Sequence, residues 1–362
     1  MKNIIITDAM YRSSLAAVQS LKSEENNIIV CQTDDYKKTP LSFKSRYVSQ
    51  AVFLHEENYM EELLELVKKY ENPVILPVGA KTVALLSGNR ETFEKYASFL
   101  IPSQKALADA NDKKTVARAA REAGIPTPAE YGEEIPEKYP VIVKPYCGEK
   151  FGLHAEERYI KANNRDEYLI AIERMKKYDN SPIVQECIEG EAVGVCIIMD
   201  KNREPAGFIC HKRIREYPIT GGPSTCCKTI YDPILVKQSV DLLKKLDFCG
   251  IAMVEYKGGK LLEINPRVWG SFPLTFKSES NFTENWVNCS LGLPCHDNFY
   301  KNGVKMKFTV NDTLAALKHL SYGHIGQFFS ASADILNPFV KDGVFSLSDP
   351  SPFFTYIKNL II

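Results

Sequence analysis

The sequence predicts an α/β protein, because three kinds of pattern recur along it. Short apolar runs such as Ile4–Thr7 and Val74–Val78 are typical of buried parallel strands. Between these two runs, apolar residues repeat at the spacing of one helix face, namely Met60, Leu63, Leu64, Val67 and Tyr70. Further along, two apolar runs flank a Lys-Gly-Gly-Lys turn, which is the signature of a tight hairpin. Strands alternating with helices over roughly the first hundred residues indicate a doubly wound domain.

Length and composition narrow the class of protein. A chain of 362 residues can form two or three domains, and 44% hydrophobic residues is ordinary for a globular protein. Lys plus Arg equals Asp plus Glu at 45 each, so no net field favours a nucleic acid partner. The ten cysteines include no C-x-x-C pair, which favours reduced thiols. With no basic leader and no run long enough to span a membrane, we expect a cytoplasmic protein.

The turn after the first strand argues against a dinucleotide cofactor. The residues there are Thr7-Asp8-Ala9-Met10-Tyr11-Arg12, not the glycine-rich turn that NAD or FAD requires. We expect Asp8 and Arg12 to serve in capping or in a contact between domains.

A candidate metal site lies on the hairpin. Alternation along the strands places Glu263 and Asn265 on one face, with Glu255 opposite them on the partner strand. Three oxygen-bearing side chains beside Arg267 suit Mg²⁺ and phosphate. The alternative is a surface hairpin with two solvated glutamates. Glu263 lies between apolar residues, and a carboxylate that enters a core needs a partner, so the metal site is favoured.

Two lysines stand out earlier in the chain. Asp112 is a natural N-cap for a helix that begins at Lys113. Lys144 ends an otherwise apolar strand, where an ammonium without an anion is costly. The loop that follows has Gly148 and Gly152 at its shoulders and can lay backbone N–H groups against phosphates. Most loops of this composition are merely turns.

A third cluster is the segment from Arg213 to Thr225. It combines Arg213 and Arg215 with adjacent glycines and several hydroxyls, which favours a mobile loop that grips an anion. An exposed basic turn is the competing interpretation. The later segment Trp269–Pro273 is predicted to be a loop over the site.

The last sixty or so residues are rich in apolar side chains. Asp312–Leu320 is predicted to be a helix, and we expect the tail to pack on the body of the protein. A membrane-surface or partner contact is the alternative, but the basic face that such anchoring requires is thin.

The order of these features resembles the ATP-grasp superfamily. A capped helix at Lys113, a strand ending at Lys144 and a glycine-containing loop precede the strand Ile183–Ile188, then Glu191, then the hairpin. The resemblance is to the carboxylate–amine ligases related to the large subunit of carbamoyl-phosphate synthase, and it spans about residues 100–300. It implies an N-terminal α/β pre-ATP-grasp domain over 1–100, a two-lobed ATP-grasp domain over 101–300 and a mainly helical extension over 301–362.

The resemblance also implies how the nucleotide is held. Lys113 and Lys144 would contact the ATP phosphates, with Lys114 as the alternative to Lys113. The segment Tyr146–Gly152 would be a lid, although its Glu149 and Lys150 depart from the small residues usual there. Glu191 would hold the ribose, and a hinge would read adenine through its backbone at Gln185, Glu186, Cys187 and Ile188.

The remaining implied roles concern catalysis. Glu255, Glu263 and Asn265 would bind Mg²⁺, with two ions expected and Mn²⁺ as an alternative. Arg267 would face the transferring phosphoryl group, and Arg213 and Arg215 the substrate carboxylate and the acyl phosphate.

The reaction implied is ATP-dependent ligation. ATP phosphorylates a carboxylate to an acyl phosphate, an amine attacks it, and ADP and phosphate leave. An amino acid or small peptide is the commonest substrate in the family. A small-molecule kinase and a non-catalytic ATP-binding regulator are the alternatives, and a homodimer is the default assembly.

Overall fold

The computed structural model describes residues 1–35, 37–132, 134–145, 159–219 and 221–361, with residue 361 described by its backbone alone. The predicted lid, including Gly148 and Gly152, lies outside the described residues, as does Thr220 of the predicted anion loop.

The N-terminal part is a parallel sheet with helices on its faces, in the strand order β3-β2-β1-β4. Its elements are β1 (Lys2–Ile6), α1 (Arg12–Ser20), β2 (Asn26–Thr33), β3 (Gln50–Leu54), α2 (Tyr59–Lys68), β4 (Val74–Leu76), α3 (Ala80–Gly88) and α4 (Arg90–Phe93). Ile5 pairs with Ile29 on one side and Ile75 on the other, and all three are fully buried. Apolar side chains on both faces explain why these runs form parallel strands, and the predicted doubly wound arrangement is confirmed.

Asp8 and Arg12 connect segments of the chain. Asp8 has φ +57, and its carboxylate accepts a hydrogen bond from the Gly79 amide at 2.8 Å. The guanidinium of Arg12 lies 3.7 Å from the centroid of the Phe308 ring, far along the chain. Both residues thus tie the first strand–helix turn to later elements.

A small antiparallel sheet in the order β6-β5-β7 follows two helices. The elements are α5 (Gln104–Asn111), α6 (Lys113–Glu122), β5 (Val141–Lys144), β6 (Ile160–Ala162), α7 (Arg165–Met175) and β7 (Ile183–Glu186). The predicted N-cap is confirmed, because the Asp112 carboxylate accepts from the Thr115 amide at 2.6 Å. Gly124, at φ +69, follows the end of α6.

The largest element is a seven-stranded sheet in the order β12-β11-β8-β9-β10-β13-β14. Its strands and the surrounding helices are β8 (Ala192–Met199), β9 (Pro205–Glu216), β10 (Ser224–Ile230), α8 (Pro233–Lys245), β11 (Gly250–Lys257), β12 (Lys260–Asn265), α9 (Pro273–Lys277), α10 (Phe282–Leu291), β13 (Lys305–Lys307), α11 (Thr309–Ser321), α12 (Ile325–Leu336), β14 (Lys341–Asp342) and α13 (Ser351–Ile361). The pairs are antiparallel except for β13 and β14.

The two faces of this sheet have different neighbours. We call the side that carries Glu255 and Arg213 the front face, and the side that carries Val254 and Lys212 the back face. Back-face residues such as Val254 share a core with the helices α5, α6 and α8. Front-face residues such as Met253 share a core with the N-terminal sheet.

One predicted loop is wrong, and the predicted place of another is corrected. The second, Trp269–Pro273, has no regular structure before Pro273. Arg213 and Arg215 lie within β9, because they pair with Cys227 and Cys226 of β10. The expectation of one loop from Arg213 to Thr225 is therefore wrong, and only residues 217–223 connect the two strands. Trp269 is not over the site either. Its ring is buried edge-to-face against Phe272, with centroids 5.2 Å apart, so this segment belongs to the core.

The C-terminal segment is helical, and it also supplies β13 and β14 to the large sheet. Phe353 and Tyr356 pack against the main core, as predicted for the tail. Phe329 and Phe339 do not follow this prediction, because they are 64% and 85% exposed. In the described part of the chain, no helix has the length and apolarity needed to cross a membrane.

Candidate functional site

The β11–β12 hairpin brings the three predicted oxygen donors together. Its turn residues Gly258 and Gly259 have φ +53 and +75, as a tight two-residue turn requires. Glu255 pairs directly with Glu263, and a bulge follows before the next pair. Asn265 donates to Glu255 Oε1 at 2.9 Å. The three side chains therefore lie side by side on the front face.

Glu255 is held in a cluster of charges. Burial and then the nearby Glu263 raise its pKa, whereas Arg213 and Arg267 lower it. Arg213 donates to Glu255 Oε2 at 3.3 Å and to Glu216 Oε2 at 2.8 Å. Burial opposes the charge of Arg213, but Glu255 and Glu216 leave its pKa raised. Two close carboxylates beside arginine suit a cation that removes their mutual repulsion.

Lys113 and Lys144 approach the hairpin from the other side of a cleft. Lys113 Nζ lies 3.5 Å from Glu263 Oε2, and Lys114 does not line the cleft. Lys144 is 9% exposed, and burial and then Lys113 lower its pKa to about 8. Within the described ranges no hydrogen bond or ion pair joins the Lys144 ammonium to a partner. A buried ammonium next to a second cation is stabilised by an anion between them.

The predicted hinge joins the small sheet to the large one. Gln185 and Glu186 end β7, and Gln185 lines the cleft together with both lysines. The Glu186 carboxylate accepts from Lys260 at 2.6 and 2.8 Å and from the Ala129 amide at 3.1 Å. The bond from Lys260 lowers the pKa of Glu186. The Glu186 side chain therefore ties the hinge to the hairpin turn.

The rest of the hinge is less constrained. Cys187 is partly buried, its amide donating to Pro140 O at 3.4 Å, and Ile188 is buried. Glu191 is exposed and accepts from Lys212 Nζ at 2.8 Å. The Glu191 carboxylate is thus paired with a lysine of the back face.

Arg267 and Arg215 differ in their surroundings. Arg267 Nη1 donates to Val268 O at 2.9 Å, and Arg267 lowers the pKa of Glu255. The Arg267 guanidinium therefore lies beside the hairpin, as predicted. Arg215 instead donates to Asp312 at 2.6 and 2.9 Å and to Asp334 at 2.8 Å. These bonds occupy Nε, Nη1 and Nη2, and Arg215 is buried. The expectation that Arg215 faces a substrate carboxylate is therefore corrected: it ties β9 to α11 and α12.

The sequence did not predict two residues at the site, Glu216 and Lys260, and His211 lies on β9. Glu216 was not predicted because it lies three residues after Arg213. Side chains alternate along a strand, so this spacing does not indicate that the two side chains meet. Lys260 could have been found, because it is the second lysine of the Lys-Gly-Gly-Lys turn. His211 Nε2 lies 2.9 Å from Ser271 Oγ, and burial lowers its pKa to about 4, so it is a neutral packed strand residue.

The donor set fits a hard divalent cation. In the described part of the chain, no group of three or more His, Cys, Asp or Glu side chains could hold a metal ion. The hairpin offers two carboxylates and one amide oxygen. Mg²⁺ accepts such a partial set, because it usually keeps waters and phosphate oxygens as further ligands.

Comparisons with known proteins agree on the fold. Residues 110–271 match the family model of the ATP-grasp domain. Biotin carboxylase of Campylobacter jejuni, in complex with β,γ-ATP, has a TM-score of 0.62 at 16% identity, with 84% of this chain and 74% of that chain covered. N5-carboxyaminoimidazole synthetase of Staphylococcus aureus has a TM-score of 0.64 at 14% identity, with 89% and 86% covered.

A third structure adds ligands. The biotin carboxylase domain dimer of 2-oxoglutarate carboxylase from Hydrogenobacter thermophilus, in complex with MgADP, ADP and bicarbonate, has a TM-score of 0.62 at 14% identity, with 84% of this chain and 73% of that chain covered. At such identities the likeness establishes the fold alone. No curated protein matches the sequence significantly. The domain match covers the capped helix, both lysines and the hairpin, so residues 110–271 are similar to an ATP-grasp domain.

Proposed function

We propose that the protein is a carboxylate–amine ligase that activates its carboxylate substrate as an acyl phosphate. The observation that carries the proposal is the meeting of Lys113, Lys144 and the Glu255–Glu263–Asn265 set at one cleft, with Lys113 Nζ 3.5 Å from Glu263 Oε2. Two cations face two carboxylates there. A phosphate chain with a bridging metal ion complements both sides at once.

In this proposal the lysines hold the nucleotide phosphates. Lys144 is desolvated and lies near a second ammonium, so an anion placed between them relieves both costs. Glu255, Glu263 and Asn265 would hold Mg²⁺, which supplies charge neutralisation on the phosphates when bound. Two ions, and Mn²⁺ as a substitute, are part of the proposal. Phosphoryl transfer needs this positioning and charge more than covalent help.

The arginines act on the transferred group. Arg267 lies beside Asn265, and Arg213 lies between Glu255 and Glu216. A carboxylate oxygen of the substrate attacks the γ-phosphorus, so that a C–O–P link forms and the β–γ bond breaks. The amine then attacks the acyl carbon, the C–N bond forms, phosphate leaves and the amine loses a proton. Fixed guanidinium groups stabilise the charge that develops on the oxygens.

The hinge completes the nucleotide site in this proposal. The backbone of residues 185–188 would read adenine, and Glu191 would bind the ribose hydroxyls. Glu191 must then exchange its exposed bond with Lys212 for a bond to the sugar. The loss is small, because exposed ion pairs contribute little. Nucleotide complexes among the similar structures, with β,γ-ATP and with MgADP, support this assignment.

The substrates are proposed by class. One is a small carboxylate and the other an amine, with an amino acid or small peptide the first choice. A homodimer is proposed as the assembly, in line with the dimer named for the Hydrogenobacter domain. Light scattering of the full chain tests the assembly.

The experiment is release of ADP and phosphate from Mg-ATP, measured against a panel of amino acids and small carboxylates with and without an amine. Glu263→Ala is the blank, and Glu65→Ala, on the exposed side of α2, is the matched control. Release that needs both substrates and vanishes only in Glu263→Ala supports the ligase. A phosphorylated product with no amine requirement would indicate a kinase. Nucleotide binding without turnover would indicate a regulator.

A further inference from the structure

Three lysines lie side by side on the back face of the large sheet. Lys228 of β10 pairs with Lys212 of β9 on one side and with Lys305 of β13 on the other. Adjacent strands are about 4.8 Å apart, so the three side chains start from neighbouring positions on one face. We call this set the lysine row.

Such a row is unfavourable unless an anion offsets it, because like charges directly opposite each other destabilise a sheet. Lys212 has the exposed Glu191, and Lys305 contacts Asp334. Asp334 is also a partner of Arg215, so its charge is shared between two cations. Lys228, at the centre, has no hydrogen bond or ion pair to any residue that the structure describes.

The lysine row lines an open cavity of about 700 Å³. A fourth lysine, Lys341, joins it there, and Asp334 is the one acidic side chain among the described lining residues. The remaining wall is largely apolar, formed by Ile214, Val304, Phe339 and Val340. Cavities of this size hold small organic ligands. The cavity therefore combines an excess of positive charge with an apolar surface.

We propose that this cavity binds a phosphorylated small molecule that carries an apolar portion. Ammonium groups are compact point charges, and several of them can surround the oxygens of one phosphate. All the basic side chains among the described lining residues are lysines. The row lies on the opposite face from Glu255. Its member Lys212 bonds to Glu191, the residue proposed for the ribose, so the test changes only Lys228 and Lys305.

The test measures binding of inorganic pyrophosphate to the full chain by titration calorimetry. The lysine-row variant is Lys228→Gln/Lys305→Gln. The matched control is Lys105→Gln/Lys237→Gln, which removes the same charge from exposed positions on α5 and α8. All three proteins are also made with Lys144→Ala, which removes the buried ammonium of the cleft.

We expect pyrophosphate binding to persist in Lys144→Ala. In that background it should weaken roughly tenfold or more with the lysine-row substitutions and be unchanged with the control substitutions. We also expect Lys228→Gln alone, which removes the central lysine that has no described partner, to unfold at a higher temperature than the wild type without phosphate, because the repulsion is reduced. A folded lysine-row variant that, in the Lys144→Ala background, binds pyrophosphate as well as its Lys144→Ala parent overturns the proposal. So does binding that is lost with Lys144→Ala alone.

A second arm identifies the source of the phosphate. Vesicles that contain phosphatidic acid are compared with vesicles of phosphatidylcholine in a flotation assay. Retention on the first that is lost in the lysine-row variant assigns a lipid headgroup, and pyrophosphate binding without retention assigns a soluble ligand. Failure of both probes to bind overturns the proposal.

Discussion

Lys113 Nζ lies 3.5 Å from Glu263 Oε2, and this contact joins the first turn of α6 to the β11–β12 hairpin across the cleft. The two residues are far apart in the chain, one beside a helix N-cap and the other in the edge strand β12 of the large sheet. In the proposed function, their meeting places a phosphate-binding cation next to a metal-binding carboxylate. This is the arrangement that in-line phosphoryl transfer requires.

Removal of the Glu263 carboxylate should abolish turnover. We expect Glu263→Ala to lower kcat by roughly a hundredfold or more, because metal-assisted charge stabilisation contributes several kcal/mol. Asn265→Asp keeps an oxygen donor and should retain more activity than Glu263→Ala. The measurement is ADP release over a range of Mg²⁺ concentrations. Equal activity of Glu263→Ala and the wild type at every Mg²⁺ concentration would remove Glu263 from the metal site.

The ionisation of Lys144 should make nucleotide binding depend on pH. Its pKa in the folded protein is about 8, against an ordinary value of 10.5, because of burial and Lys113. Below pH 8 the ammonium is charged and binds phosphate, and above pH 8 it loses its proton. The Kd for ATP should therefore rise as the pH increases through about 8. In Lys144→Arg that step should disappear, since arginine stays charged. A step of the same size in both proteins would contradict the assignment.

Burial of Lys144 should lower the free energy of unfolding of the protein without ligand. Because the folded pKa lies below the unfolded one, the unfolded chain binds more protons between about pH 8 and 10.5, and stability should rise with pH across that window. Below pH 8 Lys144 is charged in the folded protein, and the full cost of burying its ammonium remains. Lys144→Met should then be more stable than the wild type at pH 7, by on the order of 1–3 kcal/mol. Urea unfolding at pH 7 and pH 10 measures this, and a variant less stable at pH 7 would count against a desolvated ammonium.

Substitutions of Arg213 and Arg215 should have different effects, one on activity and the other on stability. We expect Arg213→Lys to raise the KM for the carboxylate substrate with little loss of stability, because this arginine lies at the cleft. Arg215→Met leaves Asp312, which is fully buried, without its main partner. Loss of one partner of a buried pair costs about 3–5 kcal/mol. The comparison is KM and the free energy of unfolding for both variants, and a reversed pattern would exchange their roles.

Short sequence patterns were sufficient to predict much of the candidate site. The Gly-Gly turn, the period-two spacing of Glu263 and Asn265, and a lysine at the end of an apolar strand are all readable within a few residues. The N-cap at Asp112 is equally local. Each of these features depends on the backbone geometry of one hairpin, strand or helix, which is why the structure places them as predicted.

Features that depend on distant partners were not predictable. Arg213 and Arg215 look alike in the sequence, and only the folding of α11 and α12 over β9 gives Arg215 its carboxylates. The strands at Lys305–Lys307 and Lys341–Asp342 are too short for periodicity to reveal them. The lysine row exists only through the register of three strands, and register is a property of pairing between segments far apart in the chain.

The most direct test of the ligase mechanism is the fate of a labelled oxygen, once the substrate panel has identified a carboxylate. The carboxylate is supplied with ¹⁸O, the reaction is run with Mg-ATP and amine, and the released phosphate is analysed by mass. An acyl phosphate intermediate transfers one carboxylate oxygen to the phosphate, so we expect one ¹⁸O in each phosphate released. Unlabelled phosphate, with amide formed at the same rate, would contradict activation by phosphorylation of the carboxylate.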